Sequence, residues 1–298
     1  MTALGLHLKT NGIVGVELQK ERRASSSTLL KVAETEIPNF HLDISKEESL
    51  LQYIEKLKEF LYNSDFKSSD VFCGLPQSEV FVRTIKVPPM NKKDLDNFIK
   101  FESGQYIPLP LEDVTLGYEQ MPPDIVEKDK MSILLVAAKK STVEKYIQIV
   151  KKANLTPLAL EPESLSMTRA LGSANAGDSS AAELIVDIGV DETLIILSYK
   201  SYVILTRSIP VGDQLFTRTL SQQFNLGEDQ AKQYQTTYGL DPQKADGKVR
   251  EVLSPLFDKI IEEIKRSKIF FTTHNPHVRV EKIIVSGETA LMPGLLVY

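Results

Sequence analysis

The run LIVDIGVDET at 184–193 gathers three residue types able to hold a nucleotide phosphate. Asp187 closes an apolar stretch, Gly189 lies in the turn behind it, and Thr193 opens the next stretch. A carboxylate at a strand end positions Mg2+, usually through water. Glycine lets backbone amides reach a phosphate with no side chain between them. The same spacing suits an ordinary hairpin turn, so the run alone admits both readings. His274 and His277, in THNPH, have a spacing that could suit a metal, but no Cys or second His pair stands nearby. They read as a surface loop. Cys73 sits in the apolar stretch VFCGLP, where a buried structural thiol is expected rather than a nucleophile. No Ser-His-Asp, Cys-His or CxxC pattern is present.

The elements that must position these residues show a duplication. Three short strands at 3–8, 13–19 and 29–37 are expected first, with Asn11-Gly12 as a tight hairpin signal. A helix follows at 46–62, with Leu50, Leu51, Ile54, Leu57 and Leu61 at helical spacing and a capping box from Ser45 to Glu48. Strands at 70–75 and 80–87, a helix capped by Asn91, strands near 114–120 and 131–138, and a helix at 141–153 come next. Between the last two strands PPDIVEKDK is a polar loop; SANAGDSSA at 173–181 reads as a linker. Beyond it the opening pattern returns: strands at 183–187, 193–199 and 203–208, then helices at 213–224, 227–238 and 249–272, and a strand at 281–285. GLHLKTNGIVGVEL and LIVDIGVDETLIIL lie over one another. A doubled βββα unit predicts two facing α/β domains with a cleft between them.

Composition narrows the function. The 298 residues carry a net charge of −5, which speaks against a nucleic-acid partner. A single cysteine forbids an internal disulfide and fits a reducing compartment. No stretch approaches the roughly 18 apolar residues of a membrane span, and the N-terminus lacks a signal-peptide pattern. A soluble chain of the cytoplasm is expected, with any membrane link borrowed from a partner.

Five segments, in order, resemble the type IV pilus assembly family PilM: FVRTIKVPPMNKKDLDNFIKFESGQYIPLPLEDV at 81–114, LLVAAKKSTVEKYIQIVKKANLTPLALEPE, LIVDIG, VILTRSIPVGDQLFTRTL and IIVSGETALMPGL. That family is similar to the cell-division protein FtsA. The resemblance implies an α/β, actin-like (ribonuclease H-like) duplicated two-domain fold with an inserted α+β subdomain. The expected parts are 1–77 as the first subdomain, 78–155 as the insertion, 156–180 as connection and linker, and 181–298 as the second domain. Because the family continues past MPGLLVY, truncation at the C-terminus is expected too.

The resemblance implies ATP with Mg2+ in the cleft, but the residues depart from its pattern. A first phosphate loop of the form D-I-G-[ST]-[ST] reads His7-Leu8-Lys9-Thr10-Asn11 here. The A-E-x-x-K helix facing ribose and base reads Ala231-Lys232-Gln233-Tyr234-Gln235, and a glycine pair reads Gly287-Glu288. Only Asp187 to Thr193 stays near the pattern. Lys9, Thr10, Lys232 and Gly287 join Asp187, Gly189 and Thr193 as candidate cofactor contacts, Asp187 holding the metal through Mg-ATP. Binding of ATP with Mg2+ and no cofactor at all are both left open, and hydrolysis is expected to be weak or absent. Glu161 and Glu163 lie where the superfamily sometimes places a water-activating carboxylate, and they read equally as helix N-terminal carboxylates favoured by the helix dipole. The family's partner is the cytoplasmic tail of the inner-membrane protein PilN, which makes a peptide groove near Phe81, Arg83, Phe101 and Tyr106 plausible. The implied role is a cytoplasmic scaffold joining a PilN-like tail to the pilus motor ATPase, with self-association on the insertion. Alternatives are an active actin-like ATPase with nucleotide-dependent assembly, and a type II secretion platform.

Overall fold

The computed structural model describes residues 2–20, 27–38, 40–121, 130–172 and 181–298. The chain divides into two compact units, Met1–Ser166 and Met167–Tyr298.

The first unit runs β1 (Thr2–Lys9), β2 (Gly12–Lys20), β3 (Ser27–Glu36), α1 (Glu47–Ser64), β4 (Asp70–Leu75), β5 (Val80–Val87), α2 (Lys92–Glu102), β6 (Val114–Gln120), β7 (Met131–Lys139), α3 (Lys140–Lys152) and β8 (Thr156–Pro162). Five strands form one sheet in the order β3-β2-β1-β4-β8. The first three are antiparallel, and β4 and β8 add in parallel. Period-two burial decides the facing: Leu4, Leu6 and Leu8 of β1 turn to the core while Gly5 and His7 turn away. Leu50, Ile54 and Leu57 of α1 cover that inner face as the helical spacing predicts, joined by Tyr53 and Phe60, whereas Leu51 is exposed and Leu61 only partly buried.

The insertion is the antiparallel sheet β5-β7-β6 with α2 against one face. Ile85, Val87, Leu95, Ile99, Ile133 and Leu135 form its core. Tyr146, Ile149 and Val150 of α3 instead join the core beneath the five-stranded sheet. The final helix of the expected 78–155 segment thus packs with α1.

The chain passes between units inside α4 (Glu163–Leu171), ahead of the 173–181 stretch. Residues 173–180 of that linker, and 122–129 of the expected polar loop, lie outside the described residues. The second unit contains β9 (Ala182–Ile188), β10 (Thr193–Tyr199), β11 (Tyr202–Ile209), α5 (Asp213–Phe224), α6 (Glu228–Thr237), α7 (Lys248–His274) and β12 (Val280–Ser286). Its sheet order is β11-β10-β9-β12, again an antiparallel meander with a parallel strand beside its first member. Phe216 of α5 stacks on Phe257 of α7 with ring centroids 4.5 Å apart, at the centre of this core. Burying each such ring contributes about 2 kcal/mol. The expected overlay of the two halves corresponds to this shared strand order.

Two local expectations are corrected. Lys9 pairs with Gly12, so the first hairpin turns on Thr10-Asn11, not on Asn11-Gly12. Gly12 is required by crowding instead: a Cβ there would sit 2.7 Å from the Thr35 carbonyl. Ser45 does not cap α1, because its amide and hydroxyl both donate to Asp43 Oδ1 (3.0 and 2.5 Å). Lys46 occupies the cap position and makes no side-chain capping bond.

Candidate functional site

In the second unit the turn 189–192 joins β9 to β10, Ile188 pairing with Thr193. Asp187 lies near the end of β9, and its Oδ1 accepts from the Ser286 hydroxyl at 2.8 Å. Gly189 donates its amide to the Glu192 carbonyl at 3.0 Å and accepts from the Asp213 amide at 2.8 Å. The Gln214 amide donates to Val190 at 3.0 Å. The first amides of α5, which at a helix start can bind an anion, are thereby spent on the turn. Such contact demands Gly212, where a Cβ would meet Val190 O at 2.5 Å. Thr193 is fully buried, and its hydroxyl donates to the Val211 carbonyl at 2.6 Å.

Gly287 follows β12 with φ of +92°, and a Cβ on it would collide with the backbone of Ile188. This brings Thr289 to Asp213 Oδ1 at 3.1 Å. The same oxygen accepts from Gln235 Nε2 at 2.6 Å, while the Lys232 ammonium pairs with Oδ2. The Thr217 hydroxyl donates to Gln235 Oε1 at 2.6 Å. Sequence reading singled out Lys232 but missed Asp213, the hub that ties turn, α5, α6 and the 287–289 loop together. Its position directly after Gly212, opening a helix, was the available signal.

In the first unit the 9–12 turn is held from below. The buried Tyr53 hydroxyl lies 2.7 Å from the Gly12 carbonyl and 3.0 Å from that of Lys9. Leu42 and Ile37 donate their amides to the carbonyls of Thr10 and Asn11 (2.6 and 2.7 Å). The Lys9 ammonium faces Glu34 at 2.7 Å. His7 Nε2 lies 2.9 Å from Glu163 Oε1, and Glu163 Oε2 accepts from the Gln77 amide at 3.3 Å. Glu161 accepts from the Ser166 hydroxyl at 2.9 Å. The structure thus brings His7 and Glu163 together, a pairing the sequence reading did not foresee.

Of the residues expected near a peptide groove, Phe81 and Tyr106 pack against the inserted core, Tyr106 beside Phe98. Arg83 is exposed on β5. Phe101 is 66% exposed, with the Lys100 ammonium 5.2 Å from its ring centre. Cys73 is buried, and burial pushes its thiol up to about 12. The His274 ring lies on Phe270, its Nδ1 against the Phe270 carbonyl at 2.8 Å. Among the described residues no group of His, Cys, Asp and Glu could hold a metal ion. Among them, too, no helix is long and apolar enough to cross a membrane.

Comparison with known proteins gives this geometry a context. The chain is similar to a solved PilM-PilN type IV pilus biogenesis complex, with 23% identity and a TM-score of 0.82 over 98% of this chain and 83% of the other. It is also similar to the ethanolamine utilization protein EutJ from Carboxydothermus hydrogenoformans (14% identity, TM-score 0.56, 99% and 79% covered). A third likeness is to MreB5 of Spiroplasma citri bound to AMPPNP (15%, 0.52, 99% and 86%). The fold is therefore the actin-like two-domain fold. The family model for the type IV pilus assembly protein PilM matches residues 5–298, and on that match this chain belongs to the PilM family.

Proposed function

We propose that this chain is a cytoplasmic scaffold of type IV pilus assembly whose nucleotide turns are degenerate. It receives the cytoplasmic tail of an inner-membrane PilN-like protein and couples it to the assembly motor. Family membership over residues 5–298 and likeness to a protein solved as a PilM-PilN complex support the pilus role. With no candidate span among the described helices, the partner supplies the membrane link. Arg83 and Phe101, exposed on the insertion, are the residues assigned to partner contact or self-association.

The observation that supports a degenerate site is internal satisfaction of the polar groups that would greet Mg-ATP. Gly189 N–H, the α5 amides and the Thr193 hydroxyl are bonded within the chain. Lys9 and Lys232, the two added cations, face Glu34 and Asp213. A phosphate would have to compete with each of these partners. Asp187 keeps the residue type that positions Mg2+ through water, but His7 stands where the family pattern has its other acidic residue. Glu163 holds His7 and the Gln77 amide with its two oxygens, an engaged carboxylate rather than a poised base.

Thermal unfolding with millimolar Mg-ATP tests this. A ligand at a hundredfold excess over its dissociation constant stabilises the fold by about 2.7 kcal/mol. The expected result is no shift and no phosphate release above background. A clear upward shift abolished by Asp187→Ala would instead establish a working nucleotide site.

A further inference from the structure

We propose that the end of the second unit where α7 finishes is a contact surface for an anionic lipid bilayer, adding to the membrane link a partner supplies. The segment KRSKIFFTTHNPHVRVEK at 265–282 carries five basic residues and one acidic residue, in a chain whose net charge is −5. Ile260, Ile264, Ser267 and Phe271 of α7 turn to the core. Ile269 and Phe270 fall on the other side of the helix and stand 65% and 44% exposed. Lys265 and Arg266 lie one turn before them and Thr273 and His274 one turn after, all exposed.

The fold brings further cations to the same end. Asn275 ends α7 by donating its amide to the Phe271 carbonyl at 2.9 Å, and Val278 joins the core, leaving His277 and Arg279 outside. The Ala182 amide donates to the Arg279 carbonyl at 2.7 Å, which fixes that residue beside the start of β9. Tyr199, paired with Ala182, meets the Phe271 ring, and the Lys200 ammonium in the adjoining turn lies over the Tyr199 ring. The acids nearby are largely taken. Glu262 and Glu263 face Arg266, Glu263 also faces Arg207, and Glu183 faces Lys282; Glu281 is exposed. Among the described residues Lys265, Lys268 and Arg279 make no ion pair.

Two adjacent apolar side chains among uncommitted cations match a bilayer surface, whose interior takes the apolar tips and whose phosphates take the charge. Lysine stems lie along the apolar side chains while each ammonium stays at headgroup level. A folded acidic partner offers the charge but no fluid apolar layer for side chains that protrude from a helix end. The contact is weak by itself, since stable anchoring takes two signals.

The test uses the full chain with no partner and no nucleotide, so its outcome is independent of the pilus and nucleotide readings. Co-sedimentation with phosphatidylcholine vesicles is compared, at low ionic strength, with vesicles containing one-third phosphatidylglycerol. Capture is expected to be about fivefold or more greater on the anionic vesicles, and to fall as salt is added. Ile269→Asp/Phe270→Asp and Lys265→Glu/Lys268→Glu are each expected to reduce it to the neutral-vesicle level. Their melting midpoints are expected to stay within about 2 °C of the parent's. The chain has no tryptophan, so Phe270→Trp reports the contact directly, its emission moving to the blue on anionic vesicles alone. Equal capture on the two vesicles, no capture on either, or undiminished capture of the variants would overturn the proposal. So would an emission shift that polyglutamate, or concentrating the chain, produces and anionic vesicles do not; the face would then belong to an acidic protein or a second copy.

Discussion

Cys73 shows how far burial alone decides a residue's chemistry. The thiol is fully enclosed between β1 and β8, and desolvation raises it to about 12, with the nearby Glu163 charge adding to the effect. At pH 8 the native protein is expected to react with an aromatic disulfide reagent only as fast as it unfolds; a rapid one-equivalent burst would contradict this. Tyr53 makes the complementary case. Its single hydroxyl proton is shared between the Lys9 and Gly12 carbonyls in a fully buried setting. Tyr53→Phe leaves both carbonyls short of a donor and is expected to cost about 1–2 kcal/mol in urea unfolding. A variant as stable as the parent would show the turn to be held by other contacts. The sequence displays Lys9 and Lys232 as cations, but their partners lie 25 and 19 positions away. Only folding shows that both are engaged, because no local pattern marks such pairs.

At the scale of elements, caps separate what the sequence discloses from what it hides. Asn91 is legible and does cap α2, its side chain accepting from the Asp94 amide at 3.0 Å. Asn91→Ala is expected to cost about 1 kcal/mol, measured by denaturant midpoint. Ser45 carries the same kind of signal, yet Asp43 two residues earlier takes its amide and hydroxyl. Two local hydrogen-bond motifs compete there, and pattern alone cannot rank them. Asp43 titrates at about 2, its carboxylate favoured first by the Ser45 hydroxyl and then by Lys46. Since its folded value is depressed, the stability it adds is present above about pH 4, the ordinary aspartate range. That stability is lost as pH falls towards about 2. Asp43→Asn should therefore narrow the difference in stability between pH 5 and pH 2, and an unchanged acid profile would refute the linkage. The β10–β11 hairpin turns on Lys200 and Ser201, with φ of 50° and 65° and no glycine to announce it. Ser201→Gly is expected to stabilise the protein by about 1 kcal/mol, seen as a raised thermal midpoint.

For the whole molecule, the duplication was legible because alternating burial writes strands directly into the order of apolar residues. β3-β2-β1-β4 and β11-β10-β9-β12 share one wiring, and the two meanders can be laid over each other before any coordinate is seen. Which core α3 joins was not legible, since one amphipathic face fits either neighbour. The family resemblance supplied the positions of the candidate site, and the structure supplied the partners that occupy them. We propose that a PilN-like tail, not a nucleotide, is the ligand this chain is built to hold. Calorimetric titration of a synthetic PilN-like N-terminal tail peptide into the purified chain, with and without millimolar Mg-ATP, tests it most directly. Saturable one-to-one binding with the same affinity in both buffers is the predicted result, weakened by Phe101→Ala or Arg83→Ala. Absence of binding, or binding that appears only with Mg-ATP, would contradict it.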